Sequence, residues 1–206
     1  MSFERGACAA FFSSTLRDGV FKPGAMPADF ILRPTEAGDL PAITDIYAEA
    51  VRHGTASYEL EPPDGAEMAR RWQDLAAKNY PHIAAVGGAV LGYAYAGPYR
   101  PRPAYRYSVE DSIYVVPAAH GKGIGRALLA ELIRISEARG FRQMIAVIGG
   151  GTEHPASVGL HAALGFRQVG IIEGSGFKHG RWLDTVLMQR ALGPGKATLP
   201  DEPLSR

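Results

Sequence analysis

The sequence predicts an α/β protein, a single domain built on a mixed sheet with helices on both faces. Two observations carry this. Stretches of β-branched and aromatic residues interleave with stretches of apolar residues at helical spacing, in the order β-α-α-β-β-β-α-β-α-β-β. The composition also suits one globular unit: 206 residues, 46% hydrophobic and 21% charged, are enough to bury a sizeable core.

Phe30 to Arg33 reads as a short strand closed by Pro34. Asp39 is placed to cap a helix through Val51, with Leu40, Ile43, Ile46, Tyr47 and Ala50 on one face. The loop from Arg52 to Pro63 carries His53, Tyr58 and Glu61. Asp64 then caps a second helix, in which Met68, Trp72 and Leu75 recur at helical spacing. Residues 83–99 carry no charge, but Gly87, Gly88, Gly92 and Gly97 make a β-hairpin of strands 82–86 and 89–96 a better reading than a membrane span. A proline-stiffened loop from Gly97 to Pro103 leads into a central strand over about 106–116, ended by Pro117. Leu128, Leu132 and Ile135 mark one face of the helix from Ile124, and Gly140 closes it. Gln143 to Ile148 is an apolar run, a buried strand. A helix over 155–164 and strands at 166–173 and 182–190, joined by Gly174 to Gly180, complete the domain at 29–192. Residues 1–28 read as an N-terminal extension, either disordered or preceding a true start at Met26. Residues 193–206, with Pro194, Pro200 and Pro203, read as a flexible tail.

Formal net charge is +1, without a block of like charges, which argues against nucleic acid or an acidic membrane as partner. Cys8 is the sole cysteine, so no intramolecular disulfide forms, and a reducing compartment such as the cytoplasm fits.

The chemistry concentrates between the central strand and the helix after it. Gly121, Gly123 and Gly125 let the backbone approach a ligand, and the N–H groups of a helix start attract phosphate. A dinucleotide fold wants its third glycine one residue later, and an NTPase loop wants a hydroxyl after Lys122. The run His120-Gly121-Lys122-Gly123-Ile124-Gly125 instead resembles the Gln/Arg-x-x-Gly-x-Gly/Ala signature of the GNAT superfamily of acetyl-CoA-dependent N-acetyltransferases, with His at the first position as a departure. Longer motifs narrow the resemblance. Ala94-Tyr95-Ala96-Gly97-Pro98, Val109-Glu110-Asp111-Ser112-Ile113-Tyr114-Val115, Ala146-Val147-Ile148-Gly149 and Gly176-Phe177-Lys178-His179-Gly180-Arg181-Trp182 are similar to the phosphinothricin and methionine sulfoximine N-acetyltransferase family.

That resemblance implies a mostly antiparallel GNAT sheet whose central strand carries a bulge and splays from its neighbour. It implies acetyl-CoA as co-substrate, its diphosphate on Gly121, Lys122, Gly123, Ile124, Gly125 and Arg126. Its amide arm would pair with Ile113, Tyr114 and Val115, the Val115 N–H serving as oxyanion donor, and His154 would stand near an arm contact. Of the adjacent carboxylates Glu110 and Asp111, which face opposite ways on a strand, the resemblance makes Glu110 the general base. His161, in His161-Ala-Ala-Leu-Gly165-Phe166, takes the place of the superfamily's general-acid Tyr. A helix histidine bonded to a nearby carbonyl is the other reading. The acceptor, a small amine, is expected against Tyr58, Arg100 and Arg102, since guanidinium groups bind acidic ends through paired hydrogen bonds. Phe177 and Trp182 are core or subunit-contact residues, and a homodimer is expected. His154 and His161 lack a suitably spaced third ligand, so no metal is expected.

Overall fold

These patterns fold into the strands and helices of a computed structural model that describes residues 30–153 and 155–200. The strands are β1 (Ile31–Pro34), β2 (His82–Val86), β3 (Val90–Pro98), β4 (Ser108–Val115), β5 (Gln143–Gly149), β6 (Arg167–Lys178) and β7 (Arg181–Ala191). They form one sheet in the order β1-β2-β3-β4-β5-β7-β6. Every neighbouring pair is antiparallel except β4 and β5, which run parallel. The helices are α1 (Leu40–His53), α2 (Gly65–Ala77), α3 (Ile124–Ala138) and α4 (Pro155–Ala163). No helix among the described residues is long and apolar enough to cross a membrane.

Side-chain alternation along the strands builds two cores. On one face Ile43, Ile46 and Val51 of α1 and Met68 of α2 pack against Tyr93. On the other, Leu128, Leu129, Leu132 and Ile133 of α3 cover Ala94, Ala96, Val109, Met144 and Ala146. Burying each such leucine stabilises the fold by about 1.5–3 kcal/mol, so the apolar stripe holds α3 rigidly beneath β4. Gly140, at φ 83°, ends that helix as expected.

Asp64 caps α2 as the sequence predicts, accepting the Glu67 N–H at 2.8 Å. Asp39 does not cap α1. Its carboxylate is buried, accepts the Glu36 N–H at 2.8 Å and takes a bidentate pair from Arg33 at 2.7 and 2.8 Å. A charged fork supplied by β1 outcompetes the neutral amides of the helix start.

Two other expectations change. The strand expected over 166–173 runs to Lys178, and the connection shrinks to His179 and Gly180, both with positive φ, a tight hairpin turn. The glycines before it form an irregularity between Ile172 and Gly176, where Gly174 donates its N–H to Asp184. Residues 193–196, expected within a flexible tail, form turns, and Arg142 donates to the Gly195 carbonyl, the Thr198 hydroxyl and the Leu199 carbonyl.

One feature of the sheet makes the site. The β4–β5 ladder runs from Ser108–Gln143 to Asp111–Ala146 and stops, although both strands continue, to Val115 and Gly149. The sheet therefore opens in its middle. The expected bulge is absent from the β3–β4 ladder, whose register runs unshifted from Gly92–Val115 to Pro98–Val109.

Candidate active site

Hydrogen-bond phase decides which amides of β4 face the opening. Val116 donates to the Leu91 carbonyl at 2.9 Å and Tyr99 donates to the Ser108 carbonyl at 3.4 Å. In an antiparallel ladder such bonds recur at alternate residues, so Glu110, Ser112 and Tyr114 exchange bonds with β3. Asp111, Ile113 and Val115 turn theirs toward β5. Beyond Asp111 there is no ladder to receive them, so Ile113 and Val115 offer main-chain groups to the gap. Tyr114, expected to pair with the coenzyme, has its backbone bonded to Tyr93 and its ring edge-on to Tyr47 at 5.0 Å, on the other face.

The gap opens into a groove of about 630 Å³ lined by Ile113, Val115, the turn residues His120, Gly121 and Gly123 to Arg126, the end of β5 and the α4 residues Ser157, Leu160 and His161. Gly121 and Gly123 have φ of 72° and 81°, a region that L side chains rarely adopt, and Gly123 is the residue before α3. No side chain caps that helix start, the kind of helix N-terminus that takes an anion. His120 is spent otherwise: its Nε2 donates to the Val115 carbonyl at 2.9 Å and ties the turn to the end of β4. Lys122 is exposed and does not line the groove. Arg126 lines it. His154 lies outside the described residues.

On the opposite face of β4 is a second cavity, of about 360 Å³, bounded by α1, α2 and β3. Glu110, Ser112, Tyr47, Tyr95 and Arg71 line it. Burial, reinforced by the charge of Asp111, pushes the Glu110 carboxyl up to about 6, against the pull of Arg100. His82, stacked on Tyr93 and Tyr95 with centroids at 5.5 and 5.4 Å, is pushed down to about 4 by burial and so is neutral near pH 7.

Sequence reasoning missed the polar wall of this cavity. Arg71 binds Glu59 and Glu67 at 2.7 Å each, and Tyr47 donates to Glu59 at 2.9 Å. Arg71 sits on a helix rich in charge, where a solvated cation is the usual reading, and no local signal distinguishes it from Arg70 beside it.

The expected acceptor contacts separate. Arg100 is exposed and stacks over Tyr99 at 4.9 Å, close enough for its charge to act on Glu110. Arg102 is exposed and lines neither cavity. Tyr58 lines neither cavity as well. Its hydroxyl is 2.8 Å from the Thr185 hydroxyl and 3.2 Å from the Asp184 carbonyl, and its ring lies against Gly149 and Gly176. It fastens the loop between α1 and α2 to the end of the sheet. His161 is a helix histidine bonded to a nearby carbonyl, and it also faces the groove. Nδ1 donates to the Ser157 carbonyl at 2.8 Å, and the ring also lines the groove, with Nε2 2.9 Å from Asp111. Glu110 and Asp111 thus divide the two faces: the first lines the 360 Å³ cavity, the second the groove.

The sequence profile of the acetyltransferase (GNAT) family matches residues 41–166. Among curated proteins, phosphinothricin N-acetyltransferase of Alcaligenes faecalis is 52% identical over 171 residues, covering 82% of this chain and 86% of that protein. The L-methionine sulfoximine/L-methionine sulfone acetyltransferase of Pseudomonas aeruginosa is 40% identical over 168 residues, covering 81% and 96%. Among solved structures, a GNAT superfamily phosphinothricin acetyltransferase from Sinorhizobium meliloti in complex with AcCoA superposes with a TM-score of 0.82 at 55% identity, covering 85% of this chain and 95% of that one.

Proposed function

The chain belongs to the acetyltransferase (GNAT) family, and from that premise we propose that it transfers acetyl from acetyl-CoA to the amine of a small amino-acid analogue of the phosphinothricin or methionine sulfoximine type. The observation that carries this is the break in the sheet, where open strand amides and a half-buried carboxyl meet on opposite faces of one strand.

The groove fits the co-substrate in its donor set. The turn at Gly121 and Gly123 and the uncapped start of α3 suit a diphosphate, and the Ile113 and Val115 backbone suits an amide-bearing arm laid along a strand edge. Acetyl-CoA supplies the activated acetyl thioester. Glu110 accepts the proton of the acceptor's ammonium group, directly or through a water, leaving the nitrogen lone pair free to attack. The Val115 N–H stabilises negative charge that develops on the acetyl oxygen. As the nitrogen–carbon bond forms and the carbon–sulfur bond breaks, His161 is the group placed to protonate the departing thiolate. Arg100 and Arg102, exposed on the loop that follows the cavity residue Pro98, draw the acidic end of the acceptor by their charge. Tyr58 shapes the pocket through the loop it anchors.

The test is thiol release from acetyl-CoA with phosphinothricin, methionine sulfoximine and methionine sulfone beside ordinary amino acids and polyamines. Turnover is expected with the analogues at a kcat/KM at least about tenfold above the other amines, a difference of about 1.4 kcal/mol in transition-state binding. Preference for another amine reassigns the substrate. Acetyl-CoA binding without turnover of any amine makes the chain a binding module.

The protein is further read as a cytoplasmic homodimer, with neither nucleic acid nor membrane as partner. The sole cysteine suits a reducing compartment and the formal net charge of +1 offers no polyanion footprint. The dimer rests on the β6–β7 hairpin, where Phe177 and Trp182 touch at 5.1 Å yet are 56% and 69% exposed, with Ile171 and Ile172 also uncovered. Trp182→Glu is expected to convert a dimer into a monomer in light scattering. A wild-type protein that is already monomeric at micromolar concentration overturns this reading.

A further inference from the structure

Asp111 has no part in the mechanism above, and its surroundings give it one. Its side chain is almost wholly buried, and one carboxylate oxygen, Oδ2, lies 2.9 Å from His161 Nε2. The other, Oδ1, has no hydrogen-bond partner among the described residues. His161 is 4% exposed. Its Nδ1 faces the Ser157 carbonyl at 2.8 Å, and a carbonyl can only accept, so Nδ1 carries a proton. A carboxylate at Nε2 likewise accepts. Both ring nitrogens therefore have acceptors, which suits an imidazolium.

A buried ion pair is a poor device for stability, since apolar side chains of equal volume do as well or better. This one also leaves an oxygen without a donor, at further cost. It stands where the groove passes the gap between β4 and β5. We propose that Asp111 is a positioning residue that sets the charge of both proton-transfer groups, holding His161 as an imidazolium whose Nε2 proton is the one released on the groove side of β4, and acting on Glu110 on the acceptor side. This rests on the acetyltransferase reading.

The surrounding groups support it. Burial is the largest influence and would lower His161, but the hydrogen bond and charge of Asp111 together with the bond to the Ser157 carbonyl leave the imidazole raised above its ordinary value. Phe166 meets the ring edge-on at 5.0 Å. The core beneath α4 comprises Ala146 and Ile148 of β5 and Val186 and Met188 of β7, none of which titrates. Arg190 of β7 reaches the Leu164 carbonyl at the end of α4 and pairs with Glu137. Arg126 and His120 are the charged or titratable groups of the turn that lines the same groove. Across the strand, the Asp111 charge is second only to burial in raising Glu110.

Asp111→Asn removes the charge and preserves the shape. Both limbs of the pH–rate profile are then expected to move to lower pH, the alkaline limb by about one unit or more, with kcat near pH 8 down about tenfold. Asp111→Glu is expected to restore much of both. A residue that only packs would lower activity without moving both limbs in one direction. Nitrogen NMR of the His161 ring, identified through His161→Gln, needs neither turnover nor a folded Asp111 variant. Doubly protonated nitrogens near pH 7 are expected in the wild type. A neutral ring there, or an Asp111→Asn profile that coincides with the wild type, overturns the proposal. A wild type that acetylates no amine sinks the acetyltransferase reading instead, and the ring spectrum still decides the charge of His161.

Discussion

Glu110→Gln is expected to lower kcat/KM for the amine roughly 10²–10⁴-fold, the usual contribution of a positioned general base, with acetyl-CoA binding unchanged. Glutamine keeps the volume and a hydrogen-bonding carbonyl, so the cavity is preserved and only the proton acceptor is lost. The same substitution erases the acid limb of the pH profile. The sign follows from the charge state: with its carboxyl pushed up to about 6, Glu110 is the protonated, inactive form below that pH and the base above it. The wild-type kcat/KM is therefore expected to rise with pH through about 6, ahead of the alkaline limb at which His161 loses its proton. Burial costs part of the carboxylate form but makes it a stronger base where it is used. A pH-rate study of the two proteins decides the matter. An acid limb of equal midpoint in Glu110→Gln would assign the base elsewhere.

Gly149→Ala is expected to have the largest effect on stability of any single methyl group added at the site. An alanine Cβ there would lie 2.4 Å from the Thr55 carbonyl oxygen and 2.7 Å from the Tyr58 ring. The carbonyl belongs to main chain, and the ring is held at its far end by Thr185, so neither gives way cheaply. Overpacking of this kind costs about 1–3 kcal/mol, a fall in Tm of about 2–12 °C for a chain of this size. The displaced segment also borders the groove through Thr55 and Ala56, so the KM for acetyl-CoA rises with it. Gly159→Ala is the control, because a Cβ on that helical glycine meets nothing within 4 Å. It is expected to be neutral or to stabilise by up to about 1 kcal/mol. Thermal melts of the two variants within a degree of each other would refute the steric account.

Much of this was legible along the chain because the physics involved is local. The turn before α3 is recognisable since positive φ at Gly121 and Gly123 demands glycine wherever it occurs. Asp64 announces a helix start because its acceptor reaches only three residues ahead. Asp39 offered the same signal and misled, since Arg33 from a neighbouring element claimed its carboxylate first. Gly174 and Gly176 read as loop residues because an irregular strand and a loop share composition, and only pairing with β7 separates them. Tyr58 shows the limit for site residues: an aromatic in a loop looks the same whether it lines a pocket or plugs a gap between Gly149 and Gly176.

From the sequence alone came the element types, the glycine turn before α3 and the two adjacent carboxylates on one strand, all properties of short windows in which backbone preference and periodicity operate. The tertiary structure decided where the β4–β5 ladder ends, and so which amides of β4 are open. It also decided that Asp111 meets His161 from fifty residues away, and that burial raises the Glu110 carboxyl to about 6. Those outcomes depend on which distant groups are brought together and how much water they exclude, and Coulomb and desolvation energies act through space, whatever the order of residues along the chain.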